Sequence, residues 1–219
     1  MLIKILEHRI YKTEPAILID NDILINSPRF SKKVSANNLL LTHSHKENLL
    51  GLSNIKYDKK LIDIFVAKEH ERFFKYHKRE NFLDFRLNHI VSKKSFKIND
   101  LEITPIAVQH EIQKTYGKLC MAFLINKRVM ICTPCNKISK NALQFFKNLD
   151  VLIIDGGYKN KQLNNDHNSI SETLNTFKDS NIKRIYFLGT YQDYQIKGKL
   201  KDSETTVDTL FSGDIIRVK

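Results

Sequence analysis

Apolar residues along the chain gather in short runs set apart by Asn, Asp, Lys and Ser, a spacing that predicts many strands and few helices. Leu2 to Leu6, Ala16 to Ile19 and Asp22 to Ile25 read as an antiparallel meander, with Asn21-Asp22 turning the last two into a hairpin. A polar loop, Ser27 to Ala36, leads into the run Asn38 to Thr42, a short strand. Beyond it Leu49, Leu50 and Leu52 have the spacing of opening helical turns. Leu61 to Ala67 predicts a further strand and Lys68 to Lys78 a helix carrying Phe73 and Phe74. Leu87 to Ser92, Phe96 to Ile98 and Leu101 to Val108 continue the strands, and Cys120 to Ile125 pairs with Arg128 to Cys132 around Asn126-Lys127. Ile138, Leu143, Phe146 and Leu149 are spaced as a helix over Ile138 to Leu149, and Val151 to Ile154 is a strand running into Asp155-Gly156-Gly157. Ser169-Ile170-Ser171-Glu172 is a capping box opening a helix with Leu174 and Phe177 on its buried side; Arg184 to Leu188 and Gly213 to Val218 are strands.

Many strands, a few helices between the later ones and no repeat predict α/β or α+β with layered packing. The chain has 219 residues and 42% hydrophobic content, and no Pro- or Gly-rich linker divides it, so a single domain over residues 1–219 is expected. It contains no apolar run of about 18 residues, and Met1 to Glu7 has a charge inside its apolar stretch and no cleavage site, so the expectation is a cytoplasmic protein with no membrane span and no signal peptide.

Charge changes the picture in one respect. Lys and Arg number 36 against 24 Asp and Glu, a net +12 that favours anionic partners such as nucleotides, nucleic acid or phosphate esters. The joint enrichment in Lys, Asn and Ile is also what an AT-rich genome writes, and the two readings stand side by side. On the predicted helix after Ala67, basic residues interleave with Phe73, Phe74 and Tyr76, a pattern that a solvated helix with its aromatics in the core explains better than a nucleic-acid surface. The odd count of cysteines, Cys120, Cys132 and Cys135, fits a reducing compartment rather than a disulfide scaffold.

The candidate chemistry starts where the strand Asn38 to Thr42 ends. His43 and His45, at i and i+2, point to one side of an extended segment and can converge on a metal ion. On spacing alone, an exposed strand end accounts for them better. The whole string decides otherwise: Thr42-His43-Ser44-His45-Lys46-Glu47-Asn48-Leu49-Leu50-Gly51-Leu52 resembles the Thr-His-x-His-x-Asp-His-x-x-Gly-Leu signature of the metallo-β-lactamase superfamily. Glu47 replaces the Asp and Asn48 the last His. Val108-Gln109-His110 resembles the strand end with the third metal-binding His, and Val129 to Cys135 the strand that delivers a bridging Asp, with Cys135 in its place. His167-Asn168-Ser169-Ile170-Ser171-Glu172 is similar to the helix start of the carbon-phosphorus lyase pathway phosphodiesterase and tRNase Z branch. Arg184 to Gly189 is similar to a strand that ends in a ligand His there, with Gly189 at that position.

The resemblance implies an αββα sandwich and a first metal site of His43, His45 and His110. Three imidazoles leave an open position on tetrahedral zinc, from which water can be activated near neutral pH; manganese and iron are the alternatives. A second ion is poorly supported, because Gly189 offers no ligand atom, Asn48 is a weak ligand and Glu47 is a methylene longer than Asp. Cys135 can still bind as a thiolate. His167 is expected as a general acid or a holder of phosphoryl oxygens beside the helix N-terminus at Ser169. Cys132-Thr133-Pro134-Cys135 is also a Cys-x-x-Cys between strand and helix, but it falls late in the chain for a thioredoxin-like unit. His8, His70, His77 and His89 have no assigned role.

Two functions follow. One is a phosphodiesterase-type metal-dependent hydrolase with an intact three-His site and a degraded second site. The other is a catalytically inactive protein of the same fold that binds a nucleotide or nucleic acid. Relatives are often homodimers, and no membrane partner is expected.

Overall fold

The structure is a computed structural model that describes the chain except residues 10–12, 29, 31–32, 45, 57–60, 72–84, 111–118, 158–168, 189–194 and 201–202; for 7–9, 13–14, 46–47 and 119 it describes the backbone only. The chain forms two compact units, Met1–Val91 with Phe211–Lys219, and Ser92–Leu210.

The first unit holds a sheet of seven strands. Its members are β1 (Leu2–Arg9), β2 (Thr13–Ile19), β3 (Ile23–Ile25), β5 (Asn38–Leu40), β7 (Ile62–Ala67), β8 (Phe85–Ile90) and the last strand of the chain, β17 (Ile215–Arg217). β4 (Val34–Ser35) and β6 (Ile55–Lys56) pair separately. In the order β17-β1-β2-β3-β5-β7-β8, pairing is antiparallel as far as β3 and parallel from β3 onward. Asp20 and Asn21, with φ of 47° and 57°, form the turn before β3, because Asp and Asn tolerate the left-handed region that a tight hairpin needs. One face of this sheet packs Leu18, Leu24, Leu39, Ile62 and Ile64 against Leu49 and Leu52 of two 3-10 turns, Lys46–Leu49 and Leu52–Asn54. The helical spacing at Leu49 and Leu52 is therefore real, with Leu50 pointing outward at 42% exposure.

The second unit repeats the plan. Its sheet contains β9 (Phe96–Ile98), β10 (Leu101–Gln109), β11 (Leu119–Ile125), β12 (Val129–Cys132), β13 (Val151–Asp155), β14 (Arg184–Leu188), β15 (Lys197–Lys199) and β16 (Thr206–Thr209). Neighbours run antiparallel from β9 to β12 and parallel through β12, β13, β14 and β16, with β15 antiparallel at the edge. The parallel strands β12 and β13 are buried throughout, which is why their sequences are unbroken apolar runs rather than alternating ones. Asn126 and Lys127, with φ of 49° and 55°, make the two-residue turn between β11 and β12.

Two α-helices are described in this unit, α1 (Lys140–Leu143) and α2 (Ile170–Phe177). The expected helix Ile138 to Leu149 is shorter than its apolar spacing suggests. Ser139 caps its start, a 3-10 turn Gln144–Phe146 follows, and Asn148 turns the chain away with φ of 56°. α2 begins at Ser169 with both halves of the capping box formed. Phe146 and Phe177 stack at 5.6 Å and 23°, and pack with Met130, Leu152, Ile185 and Phe187 in one core. The expected helix from Lys68 opens as a 3-10 turn, Lys68–His70, and its aromatic and basic residues from Arg72 to Lys78 lie outside the described residues. No described helix is long and apolar enough to cross a membrane.

Candidate metal centre

In the first sheet pairing changes from antiparallel to parallel at β3 and in the second at β12, and loops leave the carboxyl ends of the parallel strands there. In open α/β sheets this is where ligands are held. In the first unit the loops follow β3 and β5; in the second they follow β12 and β13.

At the first switch point the polar side chains among the described residues are buried. Asn26, Ser27, Thr42, His43 and Asn48 are all 0% exposed and Ser44 is 4% exposed. The apolar Leu39-Leu40-Leu41 run forces this, because a central parallel strand delivers whatever follows it into the interior end of the sheet. Asn26 takes the left-handed φ of 57° immediately after β3, and its Oδ1 accepts from Thr42 N at 3.1 Å and Thr42 Oγ1 at 3.0 Å. Thr42 Oγ1 is 2.8 Å from His43 Nδ1. Asn48 Nδ2 donates to the His43 carbonyl oxygen at 3.3 Å and lies 3.2 Å from Nδ1 and 3.5 Å from Nε2 of the ring. Asn26 Nδ2, Ser27 Oγ and Asn48 Oδ1 are buried without a hydrogen-bond partner.

The loop after β3 is also stitched to the turn that follows the histidine string. Ser27 N donates to Asn48 O and Gly51 N to Ser27 O, both at 2.8 Å. A Cβ on Gly51 would stand 1.9 Å from the Pro28 carbonyl oxygen and 2.7 Å from the Phe30 ring, so the glycine of the motif is required by close backbone approach.

The second switch point is built differently. His110, 2% exposed, follows β10 directly, and Gln109 bonds the segment after β12 through Gln109 N to Lys137 O at 2.9 Å and Asn136 N to Gln109 O at 2.9 Å. His110 and Cys135 therefore flank one backbone bridge. Asp155, at the end of β13 and 4% exposed, accepts from Cys135 N at 3.4 Å through Oδ2 and from Gly157 N at 3.0 Å through Oδ1. Cys120 Sγ donates to Pro134 O at 3.5 Å. All three cysteines are free and buried. Burial pushes the Cys132 thiol well above its usual range, and the neighbouring Cys135, Cys120 and Asp155 add to the rise. Cys132 is thus an inert thiol, the opposite of an attacking redox cysteine.

Of the residues expected from the sequence, His43, His110 and Cys135 are described and each lies at a carboxyl strand end. His45 and His167 lie outside the described residues, as does Gly189, and Glu47 is placed by its backbone alone in the turn Lys46–Leu49. Among the described residues no group of three His, Cys, Asp or Glu side chains stands ready to hold a metal. Two residues that organise the loops escaped the sequence reading: Asn26, whose only signal is a polar residue closing the run Ile23 to Ile25, and Asp155, announced by the Asp-Gly-Gly that ends a buried strand.

A family model described as a β-lactamase superfamily domain matches residues 21–189. The fold is similar to that of a diphosphatase of the PhnP family, with TM-score 0.78, 12% identity and coverage of 100% of this chain and 98% of that one. It is similar to human tRNase Z, short form, with TM-score 0.69, 13% identity and full coverage of both chains. The metallo-β-lactamase fold protein YhfI from Bacillus subtilis aligns with TM-score 0.72, 11% identity and 98% coverage of each chain. No curated protein sequence matches. The α/β fold expected from the sequence, an αββα sandwich of the metallo-β-lactamase type, is the fold of this chain.

Proposed function

The chain belongs to the β-lactamase superfamily, and from that membership we propose that it is a metal-dependent hydrolase of phosphodiesters with one divalent ion held by His43, His45 and His110. The observation that carries the reading is the first switch point. A fully buried imidazole at the carboxyl end of a parallel strand has one ring nitrogen taken by a hydroxyl, as metal-binding histidines do, and beside it a buried amide oxygen, Asn48 Oδ1, has no partner. Buried polar atoms without partners cost about 1–3 kcal/mol each, and three in one small region are what a polar occupant would relieve. The donor set fits zinc, with manganese or iron as alternatives, since imidazole suits all three.

When bound, the ion supplies Lewis acidity toward a phosphoryl oxygen and activates water. His43, His45 and His110 would hold it, and His167, two positions before Ser169 in the sequence, would give a proton to the leaving oxygen. Glu47 and Cys135 occupy positions of a second site. Cys135 binds weakly if at all in this reading, because its segment is already committed to Asp155 and packed against a thiol that resists ionisation. The PhnP-family diphosphatase and tRNase Z support a phosphate-containing substrate, a nucleotide or nucleic acid being the class that suits a net charge of +12. Homodimerisation belongs to the same proposal.

Asn48, Cys135 and Gly189 at three positions of the second site favour the alternative of a protein that binds such ligands without cleaving them. The two separate on one comparison: hydrolysis of an activated phosphodiester by the native protein and by His43→Ala. Turnover lost in the variant supports the hydrolase. Equal background rates with nucleotide or RNA binding preserved support the binding protein.

A further inference from the structure

We propose that Asn26, acting through Thr42, is the positioning residue that fixes the neutral His43 ring as its Nδ1–H tautomer and so reserves the Nε2 lone pair for the cation; the inference rests on the metal reading above. The argument is an accounting of protons. A backbone N–H can only donate, so the Asn26 atom 3.1 Å from Thr42 N is the carbonyl oxygen Oδ1, and the amide has no freedom to flip. That oxygen can only accept. Thr42 Oγ1, 3.0 Å from it, must therefore direct its single proton there. The Thr42 oxygen retains only lone pairs for its other neighbour, His43 Nδ1 at 2.8 Å. The contact is a hydrogen bond only when Nδ1 carries the ring proton, and a neutral imidazole has one.

Asn48 Nδ2, oriented by the His43 carbonyl oxygen at 3.3 Å, is a donor that lies 3.2 Å from Nδ1 and 3.5 Å from Nε2, so it favours a proton on neither nitrogen, and the shorter 2.8 Å contact from Thr42 Oγ1 to Nδ1 carries the assignment. The chain of constraint starts in the sheet. Asn26 N is bonded to Leu40 O at 3.0 Å, which fixes the residue at the end of β3, and its φ of 57° is one that Asn adopts more readily than most side chains. A neutral amide is also less costly to bury at 0% exposure than a carboxylate would be. Sheet register thereby sets the tautomer of a ring two hydrogen bonds away, and an acceptor on the far nitrogen is what raises a histidine's competence as a ligand.

The test uses nitrogen-15 histidine labelling and long-range proton–nitrogen correlation on the metal-free protein, with zinc affinity measured separately by competition against a chromophoric chelator. The native protein is expected to show His43 protonated at Nδ1, and Thr42→Ser, which keeps the hydroxyl, to match it. In Thr42→Val the Asn26 tether to the backbone N–H survives but the hydroxyl is gone. Among the described residues the donor that remains near Nδ1 is Asn48 Nδ2 at 3.2 Å, so the proton should move to Nε2, and zinc affinity should fall about 10–100-fold. Asn26→Asp keeps Oδ1 and should retain the native tautomer. A native His43 protonated at Nε2 overturns the proposal, and this arm needs no variant to fold. Equal tautomers and equal zinc affinity in the native protein and Thr42→Val also overturn it. Nδ1–H in a native protein that binds no zinc bears out the tautomer and overturns the metal reading alone.

Discussion

The two switch points have the same strand plan and opposite chemistry. In the first unit a neutral amide, Asn26, ties the loop after β5, and the buried side chains around it leave Asn26 Nδ2, Ser27 Oγ and Asn48 Oδ1 without partners. In the second unit a carboxylate, Asp155, ties the loop after β12, with each oxygen accepting a backbone N–H, and the side chains around it are thiols. In the second arrangement both Asp155 oxygens are engaged by backbone N–H groups and burial raises the Cys132 thiol, while Thr133 Oγ1 is buried without a partner. The first has unused donors and acceptors next to an imidazole. A similar strand plan thus leaves three unpartnered buried polar atoms around Asn26 and His43 in the first unit and Thr133 Oγ1 near Asp155 in the second, with an amide organising one set of loops and a carboxylate the other.

The largest effect on this contrast is expected at Gly51. Gly51→Ala drives a Cβ into the Pro28 carbonyl and the Phe30 ring, so the loop carrying Asn26 must move, at a cost of about 3 kcal/mol or more. Thermal denaturation should show a large drop in Tm, and zinc binding should weaken with it. Asp155→Ala is next. It strands the N–H groups of Cys135 and Gly157, so chemical denaturation should report a loss of about 2–3 kcal/mol, while zinc content stays at the native level. Zinc lost together with stability in Asp155→Ala would show that the loop Asp155 ties down takes part in holding the ion. Cys135→Ser should cost about 1 kcal/mol or less and leave metal content largely unchanged, measured by elemental analysis. A fall in bound metal there would make Cys135 a ligand after all.

The smallest effect sits at the opposite end of β13. Asp150 joins Arg128 and Lys183, and the hydrogen bond from Lys183, the largest influence, together with Arg128 holds its carboxyl below the usual range although burial opposes them. A depressed folded value means the contribution is present above the ordinary carboxyl value of 3.8 and is lost as pH falls below it through the folded one. Asp150→Asn should therefore flatten the acid limb of a stability–pH curve while changing little near neutrality. Both partners are more than half exposed, so salt should shrink the difference.

Legibility in the sequence followed burial. The apolar runs of β12 and β13, those of β7 and β14 with only Asp63 and Arg184 as charged members, and the capping box at Ser169 were readable, because a largely buried strand and a helix start each have a local pattern. β15, Lys-Gly-Lys and wholly exposed, has no such pattern; neither do the two-residue strands β4 and β6, nor β16 with its threonines and aspartate. β4 and β6, and β16 beside β14, exist through pairing across long stretches of chain, and β15 through pairing with β16 alone. The site divides in the same way. His43, His110 and Gly51 were legible because a motif carries them, and the structure supplies the reason for Gly51. Asn26 was not, since its role depends on Thr42, 16 residues away, arriving on the adjacent parallel strand.

The central claim is the proposed mononuclear divalent site of His43, His45 and His110. Elemental analysis of protein purified without a histidine tag tests it most directly, with native protein, His43→Ala and His110→Ala prepared alike. The account predicts about one zinc or similar ion per chain in the native protein and its loss in both variants. A native protein that takes up no divalent ion, or one whose bound ion survives both substitutions, would contradict it.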